Sequence, residues 1–173
     1  MDIHRYEKVW LAGALLLIVG FIATVSYGAV GAGIAMVDDE GGQVTPGALD
    51  EHPRFSEPGT YADGPNEYDV YVVAYQFGFE PGTQEPIRVP AGSEVTFHVT
   101  SRDVTHGFQV VGTNANTMVI PGQVSTLTVR FEETGTDEYG LLCNEYCCAT
   151  HHAMEGQIEV VPQSQWNESM EVN

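Results

Sequence analysis

Asp69-Val70-Tyr71-Val72-Val73-Ala74 is the stretch on which the fold turns. Its residues are mostly β-branched or aromatic, types that fit a pleated, half-buried surface, and the run is too short for a helix. Runs of the same kind recur beyond it: Ile87-Arg88-Val89, Glu94-Val95-Thr96-Phe97-His98-Val99, Gly107-Phe108-Gln109-Val110-Val111, the segment from Val124 to Phe131, and Gly156-Gln157-Ile158-Glu159-Val160-Val161. Pro90-Ala91-Gly92, Pro121-Gly122 and Gly135 punctuate them. Short strands at this spacing, with no helical stretch between them, predict an all-β sandwich or barrel of about 100 residues, here 67–162.

Outward from this block the composition changes. Residues 38–66 carry Gly41-Gly42, Pro46-Gly47, Pro53, Pro58-Gly59 and Gly64-Pro65 among acids, without sustained periodicity, and read as a tether. Residues 163–173 read as an acidic tail. Residues 1–37 read as a membrane anchor: no side chain between Lys8 and Asp38 is charged. At ~1.5 Å per helical residue these positions reach ~43 Å, more than the ~30 Å hydrocarbon core requires. A cleaved secretory signal has a shorter apolar region and a small-residue cleavage site, and neither is evident before Asp38. Arg5 and Lys8 precede the span, and Asp38, Asp39 and Glu40 follow it. The positive-inside rule therefore predicts a single-pass cell-membrane protein with a cytoplasmic N-terminus and an extracytoplasmic domain.

Acids number 24 against 6 basic residues, for a formal charge of -18. A nucleic acid would be repelled, which excludes it as a partner. Beyond the apolar run the acids are spread from Asp38 to Glu171 rather than gathered in one block. That distribution suits a halophilic chain, because salt shortens the reach of carboxylate repulsion.

The chemistry concentrates in Cys143-Asn144-Glu145-Tyr146-Cys147-Cys148-Ala149-Thr150-His151-His152-Ala153-Met154, which contains all 3 cysteines. Cys143, Cys147, His151 and Met154 form C-x-x-x-C-x-x-x-H-x-x-M: two thiols, an imidazole and a thioether on a loop between strands. Soft sulfur ligands with imidazole suit copper in an electron-transfer site, whereas structural zinc rarely enlists Met. A disulfide leaves one thiol odd and the His and Met spacing unexplained.

A mononuclear blue-copper site uses one Cys, two His and a weak axial Met, a need met by Cys147, His151 and Met154 with one more imidazole. Cys143 is then surplus unless its thiolate bridges two copper ions with Cys147. A dinuclear site needs a second imidazole from outside the loop. His4 precedes the apolar run, His52 lies in the tether and His98 sits mid-strand. His106, at the start of a strand with Asp103 three residues earlier, is the candidate. Cys148 and His152 read as bystanders, because either would break the even spacing.

The loop resembles the dinuclear copper A loop of cytochrome c oxidase subunit II. Further resemblance to the B-type, single-helix class lies in Tyr6-Glu7-Lys8-Val9-Trp10-Leu11, the stretch from Val70 to Phe79, Asp103-Val104-Thr105-His106-Gly107-Phe108, Gly112-Thr113-Asn114 and the stretch from Pro121 to Thr126. The resemblance implies a cupredoxin-like β-barrel with ligands His106, Cys143, Cys147, His151 and Met154 and the backbone carbonyl of Glu145. It implies a soluble electron donor, a cytochrome c or a small blue-copper protein. Electrons would pass on to the haems of subunit I, where oxygen is reduced to water and protons are pumped. By the same resemblance Tyr75, Phe77 and Phe79 lie near the donor-docking surface, and Glu7 lies at the cytoplasmic mouth of a proton pathway. Glu145 departs from the B-type pattern, where Gln is usual. Two-helix relatives have Glu there and bind magnesium through its carboxylate, so magnesium at the subunit I interface is a further expectation. Two functions compete: a membrane-anchored mononuclear cupredoxin, and the copper A subunit of a nitric oxide reductase.

Overall fold

The computed structural model describes residues 4–27, 41–131 and 138–172. The chain divides into two compact units, Met1–Met36 and Val37–Asn173.

In the first unit α1 runs from Arg5 to Ser26 with no buried residue and a mean hydropathy of 2.3 over its most apolar window. At ~1.5 Å per residue such a helix is ~33 Å long, enough to cross the ~30 Å apolar core of a bilayer. Leu16 and Leu17 are 73% and 77% exposed, which in water would be costly and in lipid is favourable. Its first turn is capped locally. The Glu7 carboxylate accepts from the His4 backbone N–H at 2.8 Å, and His4 Nδ1 accepts from the Tyr6 N–H at 3.4 Å.

The second unit is a two-sheet β structure. Its strands among the described residues are β1 (Thr60–Gly64), β2 (Glu67–Tyr75), β3 (Gly78–Glu80), β4 (Ile87–Pro90), β5 (Glu94–Ser101), β6 (His106–Val110), β7 (Asn116–Val119), β8 (Ser125–Arg130), β9 (Glu138–Leu142) and β10 (Glu155–Val161). One sheet runs β1-β2-β5-β8 with β3 added to β2; the other runs β4-β10-β9-β6-β7. β2 pairs in parallel with β5 from Glu67↔Glu94 to Ala74↔Ser101, and β10 pairs in parallel with β4.

Alternation along the strands makes the core. Val95, Phe97 and Val99 of β5 point inward while Glu94, Thr96 and His98 do not, and Val70 and Val72 of β2 join the same layer. Phe108 packs edge-on against Phe79 (5.6 Å between ring centroids) and lies 5.4 Å from Phe97. Ile87, Leu141 and Ile158 close the layer from the second sheet. On the outer face of the first sheet Tyr71 stacks on His98 at 4.6 Å, and the His98 Nε2 sits 3.0 Å from the Asp69 carboxylate. His98 thus has a structural role.

The expected tether departs from the structure. Residues 38–40 lie outside the described residues, but from Pro46 the segment is packed. A 3-10 turn over Pro46–Glu51 buries Leu49, which with Phe55 covers Val73 and Val124. β1 then pairs antiparallel with β2, and Thr60 Oγ1 donates to the Arg88 carbonyl at 2.8 Å. The Gly and Pro residues serve the turns of a segment laid on a sheet, and its few large apolar residues are too irregularly spaced to show a period. The expected acidic tail departs likewise. Trp166 packs edge-on against Tyr68 at 5.5 Å, and the Val172 N–H donates to the Thr60 carbonyl at 2.9 Å.

Candidate metal centre

β9, the central strand of its sheet, ends at Leu142 and delivers Cys143 to the strand end, where the residue is 5% exposed. β6 begins at His106, which is fully buried. The Gly107 N–H points at Cys143 Sγ, 3.4 Å away, and His106 Nδ1 lies 3.9 Å from the same sulfur. The ends of the loop are tied together by the Cys143 N–H, which donates to the Met154 carbonyl at 3.2 Å. Inside it the Cys147 N–H donates to the Glu145 carbonyl at 2.8 Å, turning the chain back so that Cys147 Sγ sits 3.7 Å from Cys143 Sγ. Met154, 1% exposed, sets its Sδ 3.9 Å from Cys147 Sγ.

His106, Cys143 and Cys147 therefore present ligand atoms that all lie within 4.8 Å of one another. His151 stands in the 3-10 turn His151–Ala153 and is not one of that trio. Its Nδ1 is buried with no hydrogen-bond partner. A buried imidazole nitrogen left unpaired is costly, and a metal ion would satisfy it. The Glu145 carbonyl lies 3.4 Å from Cys143 Sγ, while its carboxylate accepts from the Tyr146 N–H at 3.0 Å.

Charge and protonation follow from the packing. The Asp103 carboxylate accepts from His106 Nε2 at 2.8 Å, from the Gln76 N–H at 2.7 Å and from the Val104 N–H at 2.6 Å. Partial burial would raise its pKa, but these donors together hold it below the ordinary 3.8. Cys147 moves the other way: burial and the neighbouring thiols of Cys148 and Cys143 push it up to about 12. Without metal this thiol is protonated at neutral pH, so a metal must displace its proton.

The aromatic stretch proposed for docking divides. Phe77 is 55% exposed at the turn between β2 and β3, and Tyr75 is half-buried. Phe79 is 1% exposed and belongs to the core, so it presents nothing to a partner. Alternation along an extended chain puts Phe77 and Phe79 in register, but the turn between the strands breaks it. Two contacts of the centre were not legible in the sequence. Asn116 accepts from Asn144 Nδ2 at 3.1 Å, tying β7 to the loop, and the Gly107 N–H reaches a sulfur 36 positions away. Asn116 lies outside every motif and Gly107 stands in one without its contact being foreseeable, because only the pairing of β6 with β7 and β9 brings them to the loop.

Residues 67–161 match the family described as cytochrome c oxidase subunit II, periplasmic domain. The chain is 40% identical over 168 residues to cytochrome c oxidase subunit 2 of Thermus thermophilus, with 91% of this chain and 93% of that one covered. The chain belongs to the cytochrome c oxidase subunit II family. Among solved structures, a chain of a haem-copper terminal oxidase dimer determined by cryo-electron microscopy superposes with a TM-score of 0.62 at 34% identity, covering 90% of this chain and 99% of that one. The periplasmic domain of subunit II of cytochrome oxidase from Bradyrhizobium japonicum shares the β fold at 18% identity, with a TM-score of 0.51 over 56% of this chain and 86% of that one.

Relatives in the subunit II family are components of an oxidoreductase complex, and the family implies copper. The donor set fits that metal: two thiols, a thioether and imidazole nitrogens, one of them buried and unpartnered.

Proposed function

We propose that this chain is the electron-accepting subunit of a B-type haem-copper oxidase and that it holds a dinuclear copper centre. His106, Cys143, Cys147, His151 and Met154 would ligate the metals, with the Glu145 carbonyl as the sixth donor. The observation that carries the reading is the pair of thiols 3.7 Å apart flanked by His106 on one side and Met154 on the other. One copper ion needs one thiolate, and a second thiolate at that separation suits a bridge between two ions.

When bound, the copper pair supplies a one-electron relay, taking electrons from a soluble cytochrome c or small blue-copper protein and giving them to the haems of subunit I. The protein's part is to keep the ligands still. His106 is fixed through Nε2 by Asp103, the loop ends are fixed by the Cys143–Met154 backbone bond, and Phe108 and Leu141 back the site with packed core. A ligand shell that does not move between redox states favours fast transfer.

In this reading α1 is the anchor, with the N-terminus cytoplasmic and the copper domain on the extracytoplasmic face. Phe77, with Tyr75 beside it, faces the donor. Glu7 stands at the cytoplasmic mouth of the proton pathway in addition to capping its helix. The Glu145 carboxylate contributes to a magnesium site completed by subunit I. Oxygen is the acceptor, and its reduction to water drives proton translocation.

The test is to purify the complex from its membrane and measure copper per chain, haem content and oxygen consumption together. Two copper ions above those of subunit I, with donor-dependent oxygen uptake, are the expected result. One copper ion would make the chain a mononuclear cupredoxin, and nitric oxide consumption in place of oxygen uptake would make it a nitric oxide reductase subunit.

A further inference from the structure

The ligand set just proposed leaves one thiol unused. Cys148 Sγ lies 3.3 Å from Cys147 Sγ, closer than Cys143 Sγ, which is 3.7 Å from it on the other side. The three sulfurs form a chain with Cys147 in the middle. Its two ends differ in surroundings. Cys143 is buried in the core cluster and Cys147 packs against that cluster, whereas Cys148 does not, and its sulfur lies 4.0 Å from the hydroxyl of exposed Thr150. The series therefore runs from the solvent side of the loop to the floor of the site.

Thiolates are the ligands Cu(I) prefers, and a Cu(I) ion changes partners readily when the next sulfur is within bonding reach of the first. We propose that Cys148 is a transfer thiol for copper loading. It takes Cu(I) from a small-thiol carrier at the surface and passes it to Cys147 and Cys143, without remaining a ligand of the finished centre. The exchange changes no oxidation state. Cys148 gives up its thiol proton as its S–Cu bond forms and the carrier sulfur leaves and takes up a proton. Cys147 and then Cys143 each give up a thiol proton as their S–Cu bonds form, and Cys148 takes one up when its bond to copper breaks.

This proposal rests on the dinuclear reading above, and the experiment separates the two. Copper-free full-length protein in detergent is mixed with Cu(I)-glutathione under anaerobic conditions. Samples are challenged at intervals with a strong Cu(I) chelator, and the copper retained per chain is measured. The parent is compared with Cys148→Ser and Cys148→Ala. Loading should slow by about tenfold or more in both variants, because the thiol beside exposed Thr150 is gone and of the two that remain Cys143 is buried. The final amount should equal that of the parent. Parental rates in both variants would overturn the transfer role. A lower final copper content in both would also overturn it, by making Cys148 a resident ligand. A parent that retains only one ion would instead remove the dinuclear reading, whatever the variants do.

Discussion

Asp103 and His106 are joined by a 2.8 Å hydrogen bond that fixes which ring nitrogen of His106 carries the proton. With Nε2 donating to the carboxylate, the lone pair is on Nδ1, and Nδ1 is the atom that faces Cys143 Sγ at 3.9 Å. The same carboxylate holds the Gln76 N–H, so His106 and the turn carrying exposed Phe77 share one anchor.

That anchor has a pH signature. Partial burial works against it, but the donors around Asp103 hold its pKa below 3.8. A group depressed in the folded state contributes stability that is complete above its unfolded pKa and is lost as pH falls through the folded one. Asp103→Asn should therefore lower the urea midpoint of the copper-free protein at neutral pH and flatten its decline below pH ~3.8. Parent and variant curves that run parallel through the acid range would refute this.

At the alkaline end the sign reverses. Cys147 is raised from 9.0 to about 12, by burial first and then by the thiols of Cys148 and Cys143. Tyr68 and Tyr71 are also raised, by burial and then by the nearby carboxylates of Glu171 and Asp69 respectively. Stability from a raised group is present below the unfolded pKa and lost as pH climbs toward the folded one. The copper-free protein should weaken progressively above pH ~9, and Cys147→Ser should remove part of that slope while the tyrosines retain the rest. Denaturation midpoints between neutral and strongly alkaline pH measure this, and an unchanged slope in the variant would count against it.

Phe77 and Phe79 should separate cleanly on substitution. Phe79→Ala empties a fully packed position and should cost about 3–5 kcal/mol. Phe77→Ala, at the exposed turn, should stay within about 0.5 kcal/mol in stability and instead raise the apparent KM for the donor. Equal destabilisation of the two by chemical denaturation would contradict the burial described here.

Gly107 is a steric test of the loop. A Cβ there would collide with Asn144 Oδ1 and lie 3.0 Å from the Asn144 backbone nitrogen. Gly107→Ala should cost about 1–3 kcal/mol through overpacking and reduce copper retention. Adding Asn144→Ala should restore only part of the loss, because the backbone contact persists. Complete recovery in the double variant, or no loss in the single one, would show that the loop is looser than its contacts indicate.

How much of this was legible beforehand depended on the kind of signal. β2, β4, β5, β6, β8 and β10 announced themselves by β-branched runs, and the loop's candidate ligands by their spacing. His106 was reached by setting the other histidines aside and by the resemblance of its motif, not from the fold, because nothing in the sequence states that β6 will lie beside β9. β1 and β3 are short and contain Gly, and β7 is only four residues, too short to establish an alternating pattern. The packed segment before β1 was hidden for a related reason. Leu49, Phe55 and Tyr61 each bury a large side chain, yet their spacing has no period, and the surrounding Gly and Pro suggest a linker. Phe79 misled because a run of aromatics looks uniform until a turn sends its members to different surroundings.

The pairing of β6 with β9 also sets an order of events. Cys143, Cys147, Cys148, His151 and Met154 are neighbours along the chain and are together even before folding, but His106 joins them only once two strands distant in sequence have met. Metals bind unfolded Cys and His readily, and distant strands are slow to find each other. Copper that arrives before these strands have paired meets three thiols and no His106, and a chain held that way has a rival to the folded arrangement. For this chain, when the metal is delivered matters as much as whether it is.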